Sequence, residues 1–377
     1  MKQTNNPQED PRIAIYHFLQ KIKNQTPREM FDILNKSDYI GQEKAKKSLC
    51  LMAYRHINRL RKIYIDLVPV DELPPKENFL FIGPTGCGKT YLVELLFNKI
   101  LPLPHVIIDI TAYSETGYVG QDVVSILSRL VFSAGNYALA SIGVVCIDEF
   151  DKLSSGKNNA VFSGAGTTKD VSGLGVQREL LKMLESSVLD VPVELSHASY
   201  CPRAPFNTQN VPFIACGAFS GLKRMINTKK HKIGYSSTKT DQEMHSNIAV
   251  SYSRDDFGKV VTFEEYGFMP ELIGRFSRII PFDALGRQEL KQILIQNTIK
   301  KYSKELYTEN IKLEIDEKVC DKIVDDAVRL ETGARGLKNF LIEYIEDACF
   351  EIYSNQVKKH HINLYLDTAN KIKWEII

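Results

Sequence analysis

Between Asn78 and about Phe282, short unbroken apolar runs alternate with segments whose apolar residues recur every three or four positions. The runs Phe79–Ile82, Val106–Ile110, Val144–Ile147 and Val211–Ala215 predict strands, and Tyr91–Ile100, Val123–Phe132 and Val176–Glu185 predict helices between them. A strand that is apolar at successive positions must be covered on both faces. Strands of this kind separated by helices predict an α/β fold, a parallel sheet with helices on both sides. After Asp283-Ala284-Leu285-Gly286 the pattern changes to two long helical segments, Glu317–Arg329 and Ala334–Ser354, beside the short β-like pieces Ile311–Ile315 and Ile362–Leu366. That predicts a second, smaller α+β domain, mainly helical, with a hinge at 283–286. Upstream, residues 11–25 read as a short amphipathic helix with Ile13, Phe18 and Ile22 available for one face, and Thr26-Pro27 reads as a helix cap followed by proline at the first helical position. The expected organisation is an extension over 1–25, a large domain over 26–283 and a small domain over 284–377. Polar Met1–Asp10 and the Gly/Ser/Asn-rich stretch Ser154–Thr168 carry no periodic pattern.

Composition narrows the class. The chain has 377 residues, is 44% hydrophobic, and carries a formal net charge of only +2. It is long enough for two or three cores, and no overall basic field marks a nucleic-acid or membrane binder. Seven cysteines, at 50, 87, 146, 201, 216, 320 and 349, include no C-x-x-C pair. Neither structural zinc nor a disulfide framework is expected, and the default is reduced thiols in a cytoplasmic protein. No apolar run approaches the length that spans a bilayer.

The candidate chemistry sits at the ends of the predicted strands. Directly after Phe79–Ile82 comes Gly83-Pro84-Thr85-Gly86-Cys87-Gly88-Lys89-Thr90, followed by helical Tyr91. The pattern G-x-x-x-x-G-K-[ST] between strand and helix predicts a loop whose backbone N–H groups cradle phosphates, with Lys89 on the β- and γ-phosphates and the Thr90 hydroxyl on Mg²⁺. Cys87 is read as a small residue at a tolerant position rather than as a redox switch. Asp148 and Glu149 end the apolar strand Val144–Ile147. Such a pair divides labour, Asp148 holding Mg²⁺ through water and Glu149 deprotonating the attacking water. Phosphoryl transfer also needs cations, and Arg275 and Arg335 stand in suggestive contexts, although singly each suits a surface ion pair at least as well.

Several segments taken together are more specific. Tyr39–Lys47, the phosphate-loop segment, Gly117-Tyr118-Val119-Gly120, Ile147–Lys152, Asp170–Gly173, Gly217–Leu222, Gly267–Phe276 and Gly333–Leu337 occur in the order found in the ClpX family of hexameric AAA+ protein unfoldases, which the chain resembles from about Thr26 onward. The resemblance implies an AAA+ P-loop NTPase large domain and the small domain of that family. It places Tyr39 and Ile40 at the adenine, makes Arg275 a finger reaching the nucleotide of the next subunit, and makes Arg335 the sensor that reports the γ-phosphate to the small domain. Tyr118 and Val119 become the axial pore loop that grips substrate. Lys232-Ile233-Gly234-Tyr235 falls where relatives carry Ile/Leu-Gly-Phe for docking into a ClpP-like peptidase.

The implied activity is ATP hydrolysis coupled to protein unfolding and translocation by a homohexamer, with ATP and Mg²⁺ as cofactors, protein substrates and a peptidase partner. There are departures. The family's zinc-binding segment has no counterpart among the first 25 residues, Val193–Ser199 retains one histidine, His197, where relatives carry Arg-Lys-His, and Tyr235 replaces phenylalanine. These leave open a stand-alone remodelling ATPase. A DNA-directed AAA+ motor is the more distant alternative, and the charge balance speaks against it.

Overall fold

Phe79–Ile82 (β1) is buried at all four positions because strands pair with it on both edges. The computed structural model describes residues 10–114, 121–154, 171–192, 202–222, 260–355 and 360–377. β1 belongs to a five-stranded sheet completed by His105–Asp109 (β2), Val144–Asp148 (β3), Phe213–Gly217 (β4) and Arg278–Pro281 (β5). The strand order is β2-β3-β4-β1-β5 and every pairing is parallel. Continuous apolar runs therefore become doubly covered strands, as expected of a parallel sheet. The runs at Val106 and Val211 are shifted: β2 begins at His105, and β4 begins only at Phe213 because Val211 closes a turn onto the Thr208 carbonyl (3.0 Å). β5 has no signal of its own. It is a four-residue edge strand with only Ile280 fully buried, and it is a strand because Leu80 and Phe81 pair with Ile279 and Ile280.

Among the described residues, several elements of this part of the molecule have no counterpart among the sequence expectations. Glu43–Tyr64 is a 22-residue helix whose buried face runs Ala45, Leu49, Met52, Ala53, Ile57 and Leu60 among many charged residues. Val188–Pro192 and Arg203–Asn207 form an antiparallel pair. The first helix, Pro11–Lys21, ends before residue 25 and buries Ile15 and Leu19; of the expected face, Ile13 is exposed, Phe18 is half-buried and Ile22 is buried as the extended residue that follows the helix. Ile15 and Leu19 lie at i and i+4 and so share one stripe. At Thr26 the expected cap is found as a capping box: Glu29 N–H donates to Thr26 Oγ1 (3.2 Å), and Thr26 N–H donates to Glu29 Oε2 (2.7 Å). Those bonds favour the ionised Glu29 carboxylate and hold its pKa below the usual range.

By contacts the chain divides into two units, and the second gathers Leu34–Gln42, Pro84–Gly88 and Asp283–Ile377. Its helices Arg287–Ile293, Glu317–Arg329 and Gly333–Asn355 enclose a core with Ile311–Ile315 (β6), His360–Leu366 (β7) and Ile372–Ile376 (β8). β6 and β7 are parallel, and β7 and β8 antiparallel. Leu337, Leu341, Ile345, Ala348 and Ile352 supply the buried stripe of the longest helix. The glycine loop packs on the start of that helix. Ala334 N–H donates to the Gly86 carbonyl (3.2 Å), and Gly86 (φ +74°) and Gly333 (φ +58°) are both left-handed. A Cβ on Gly86 would lie 2.7 Å from the Thr332 carbonyl oxygen, and one on Gly333 3.0 Å from that of Thr85. Only glycine permits backbones to approach so closely.

Two outcomes follow from this packing. Gly333→Ala forces a side chain into the left-handed region, and we expect a loss of about 1–2 kcal/mol, read as a lower urea midpoint for the small unit. His56, buried on the Glu43–Tyr64 helix with Nε2 3.0 Å from the Ile142 carbonyl, has its pKa pushed down by burial to about 4. The unfolded chain takes up this proton below its ordinary 6.5 and the folded chain does not, so stability falls as pH drops from 6.5 towards 4, by up to about 3 kcal/mol. His56→Gln should flatten that acid limb in urea midpoints measured across this range.

Candidate nucleotide site

β1 is the strand at which chain direction across the sheet switches, since β4 lies on one side of it and β5 on the other. Ligands of open parallel sheets gather at the carboxyl ends of the strands beside such a switch. At that end Gly83 N–H donates to the Gly217 carbonyl of β4 (3.2 Å), which starts the loop, and Lys89 opens the helix Lys89–Leu95. The Lys89 ammonium is buried and donates to the Gly83 carbonyl (2.7 Å), so it turns back over the loop it follows. Thr90, one residue on, places its hydroxyl on β3: Oγ1 donates to Asp148 Oδ2 at 2.7 Å. Asp148 Oδ1 accepts from Glu149 N–H (2.9 Å), so both carboxylate oxygens are oriented. Lys89, Thr90, Asp148 and Glu149, predicted from separate motifs, thus come together across β1 and β3.

Glu149 itself has φ +55° and ψ +30°. A left-handed glutamate costs of order 1 kcal/mol and persists only where its surroundings enforce it. The enforcing residues follow directly. Phe150 is buried with ring centroids 5.3 Å from Phe268 and 5.4 Å from Phe276. Asp151, only 4% exposed, accepts from Ala218 N–H at 3.0 Å just past β4. Asp151 thereby ties the carboxylate pair of β3 to the end of β4. The sequence assigns it no role, although a third acid two residues beyond Glu149 is the visible signal.

A hydroxyl and a carboxylate converging on one point are hard oxygen donors, the set that suits Mg²⁺ when substrate phosphates and water complete its shell. The donors present fit that ion. In the smaller unit the loop residues Pro84–Gly88 are braced by Tyr39, whose hydroxyl donates to the Gly88 carbonyl (3.2 Å) and whose ring would lie 3.1 Å from a Cβ on Gly88 (φ +90°). Ile40 follows it, half-buried, and Gln42 exchanges two hydrogen bonds with the Asp283 backbone, donating at 2.7 Å and accepting at 3.1 Å. Thr85 is exposed and Cys87 is a buried cysteine outside any disulfide. Tyr91 lies in the first turn of the helix after the loop, and Arg335 is exposed in the first turn of Gly333–Asn355.

Arg275 is not brought to this cluster. It follows the helix Pro270–Gly274, and its carbonyl accepts from Asn78 Nδ2 (3.1 Å) at the amino end of β1. From Asn78 to Gly83 the strand rise separates the two ends by about 16 Å, farther than an arginine side chain reaches. Tyr118 and Val119, and likewise Ile233, Gly234 and Tyr235, lie outside the described residues.

Comparison with known proteins agrees with this layout. Residues 74–279 match the AAA domain (Cdc48 subfamily), and residues 285–364 match the C-terminal, D2-small domain, of ClpB protein. A protein of Bacteroides thetaiotaomicron named ATP-dependent Clp protease ATP-binding subunit ClpX is 35% identical over 351 residues, covering 89% of this chain and 81% of that protein. The protein of the same name from Bacteroides fragilis is 36% identical over 334 residues, with 86% and 77% covered, and that from Borrelia duttonii 34% over 348 residues, with 89% and 76%. With its phosphate loop, paired strand-end carboxylates and small C-terminal domain matched along almost the whole length, the chain is an AAA+ ATPase and belongs to the ClpX family.

Proposed function

We propose that the protein is an ATP-driven unfoldase and translocase that works as a homohexameric ring and passes unfolded substrates to a ClpP-like peptidase. The observation that carries the ring is the place of Arg275: held at the amino end of β1, it is remote from the loop at the carboxyl end of the same strand. A finger so placed serves a neighbouring copy, and a head-to-tail interface of this kind closes into a ring.

In this reading the loop N–H groups and Lys89 bind the β- and γ-phosphates of ATP, and Thr90 and Asp148 hold Mg²⁺. The ion, when bound, offsets charge on the phosphate oxygens. Glu149 takes a proton from water as its oxygen bonds to the γ-phosphorus; the bond to the bridging oxygen breaks, ADP leaves with that oxygen, and Arg275 of the neighbour neutralises the charge that develops. Arg335 and the loop contacts around Gly86 report the nucleotide to the small domain, and the change in domain angle moves Tyr118 and Val119 along the substrate. Ile233, Gly234 and Tyr235 dock the peptidase, six weak contacts reinforcing one another. A stand-alone remodelling role is the second reading, favoured by the Tyr235 hydroxyl, which must lose water on entering an apolar cleft.

Four outcomes are expected. Glu149→Gln should retain ATP binding and ring assembly while kcat falls by about 100-fold or more. Arg275→Ala should lose at least as much, with nucleotide affinity nearly unchanged. For Tyr118→Ala, ATPase should persist while unfolding of a tagged fluorescent protein stops, and Ile233→Ala should suppress only the release of fragments in the presence of ClpP. Stimulation of the ATPase by DNA rather than by unfolded protein would overturn the proposal, and unchanged degradation by Ile233→Ala would favour the stand-alone role.

A further inference from the structure

The residues around Arg275 do more than anchor it. Asn78, 4% exposed, uses its whole side chain on neighbouring backbone: Nδ2 donates to the Arg275 carbonyl (3.1 Å) and Oδ1 accepts from Phe213 N–H (3.0 Å) at the start of β4. The Asn78 carbonyl accepts from Ser277 N–H (2.9 Å) and Ser277 Oγ (3.0 Å). The backbone of Arg275 is thus fixed to β1 and β4 through a buried asparagine whose polar atoms would lose their partners if the segment moved. Its guanidinium is fixed from elsewhere. Nη2 donates to Glu185 Oε1, just past the helix Val171–Leu184. The end of that helix is in turn held by Lys76, whose ammonium donates to the Met183 carbonyl (3.2 Å) and the Thr208 carbonyl (2.7 Å) and lies 4.9 Å from the Phe213 ring centroid.

Magnitudes separate the two kinds of contact. The Arg275–Glu185 pair is half exposed on both sides, with side-chain exposures of 48% and 39%. Pairs so exposed are screened by water and contribute little to stability, too little to explain by folding a carboxylate mounted on a braced helix end. What the pair does decide is direction. It engages one nitrogen and one carboxylate oxygen, and a guanidinium has five donors in a rigid fork, so a second anion can be met while the first is kept.

We propose that Glu185 is a positioning residue for Arg275, setting the orientation in which the guanidinium meets the phosphates of a neighbouring copy. The inference rests on Arg275 acting in trans. It extends that reading by making the helix Val171–Leu184, with Lys76 at its end, part of the mount of the finger.

The test uses mixed rings. Subunits carrying Glu149→Gln, which bind ATP without hydrolysing it, are mixed in large excess with unaltered subunits, and ATPase is measured per unaltered subunit. The carriers are compared with Glu149→Gln/Glu185→Gln and Glu149→Gln/Arg275→Ala carriers. We expect Glu185→Gln in the carrier to lower the turnover of its unaltered neighbours about tenfold, towards the level seen with Arg275→Ala. In uniform Glu185→Gln rings kcat should fall with KM and melting temperature unchanged. A role confined to the folding of the carrier's own subunit would leave its neighbours untouched. If the Glu185→Gln carrier matches the Glu149→Gln carrier, or if turnover rises, the positioning role is wrong. If the Arg275→Ala carrier also matches it, the trans reading itself fails.

Discussion

The structure depends on a short strand buried on both faces and paired on both edges. β1 has four residues and no exposed position, so every polar function attached to it is displaced to one end or the other. Its carboxyl end runs into the glycine loop, and its amino end, through Asn78, holds Arg275. The two ends of a strand cannot be brought together without breaking the sheet. Arg275 and the glycine loop of the same chain are therefore held apart by the rise of the strand that joins them.

Around that strand, backbone geometry is specified more tightly than side-chain chemistry. Lys89, Thr90 and Asp148 are ordinary residues in regular elements, aimed by their position at the carboxyl end of the sheet. The irregular positions are Gly86, Gly88 and Gly333, where a Cβ would strike backbone or the Tyr39 ring, and Glu149, where a side chain is carried in a conformation that usually favours glycine. At the glycines the constraint is close approach. At Glu149 it is the packing of Phe150 and the hydrogen bond of Asp151, which hold the next residues in place and leave the glutamate no other path.

Legibility followed burial. β1, β3, β6 and the helix Glu317–Arg329 were readable because their burial is uniform or strictly periodic, so the pattern of residues states the environment. The edge strand β5 was not, since it is short, half exposed and without an apolar run of its own, whereas β8 alternates as β6 does and carried a signal that went unread. The helix Glu43–Tyr64 was hidden for a related reason: Lys46 is buried beside the Phe31 ring, so a charged letter occupies a core position. The first helix shows the converse error, in which Ile13 is apolar and exposed.

By itself the sequence pointed to Lys89, Thr90, Asp148 and Glu149 as one group, because a glycine loop, a lysine, a threonine and a strand-end carboxylate pair are local patterns in which chemistry and spacing are written together. It also determined the class of fold, through strands apolar at every position. Tertiary structure alone decided that Asp151 links two strands, that Glu185 pairs with Arg275, and that this arginine stands at the opposite end of β1 from its own loop. Each of those facts joins residues far apart in the chain. No local pattern encodes them, since an ion pair across 90 positions or a strand taken in from the edge exists only once the sheet has closed.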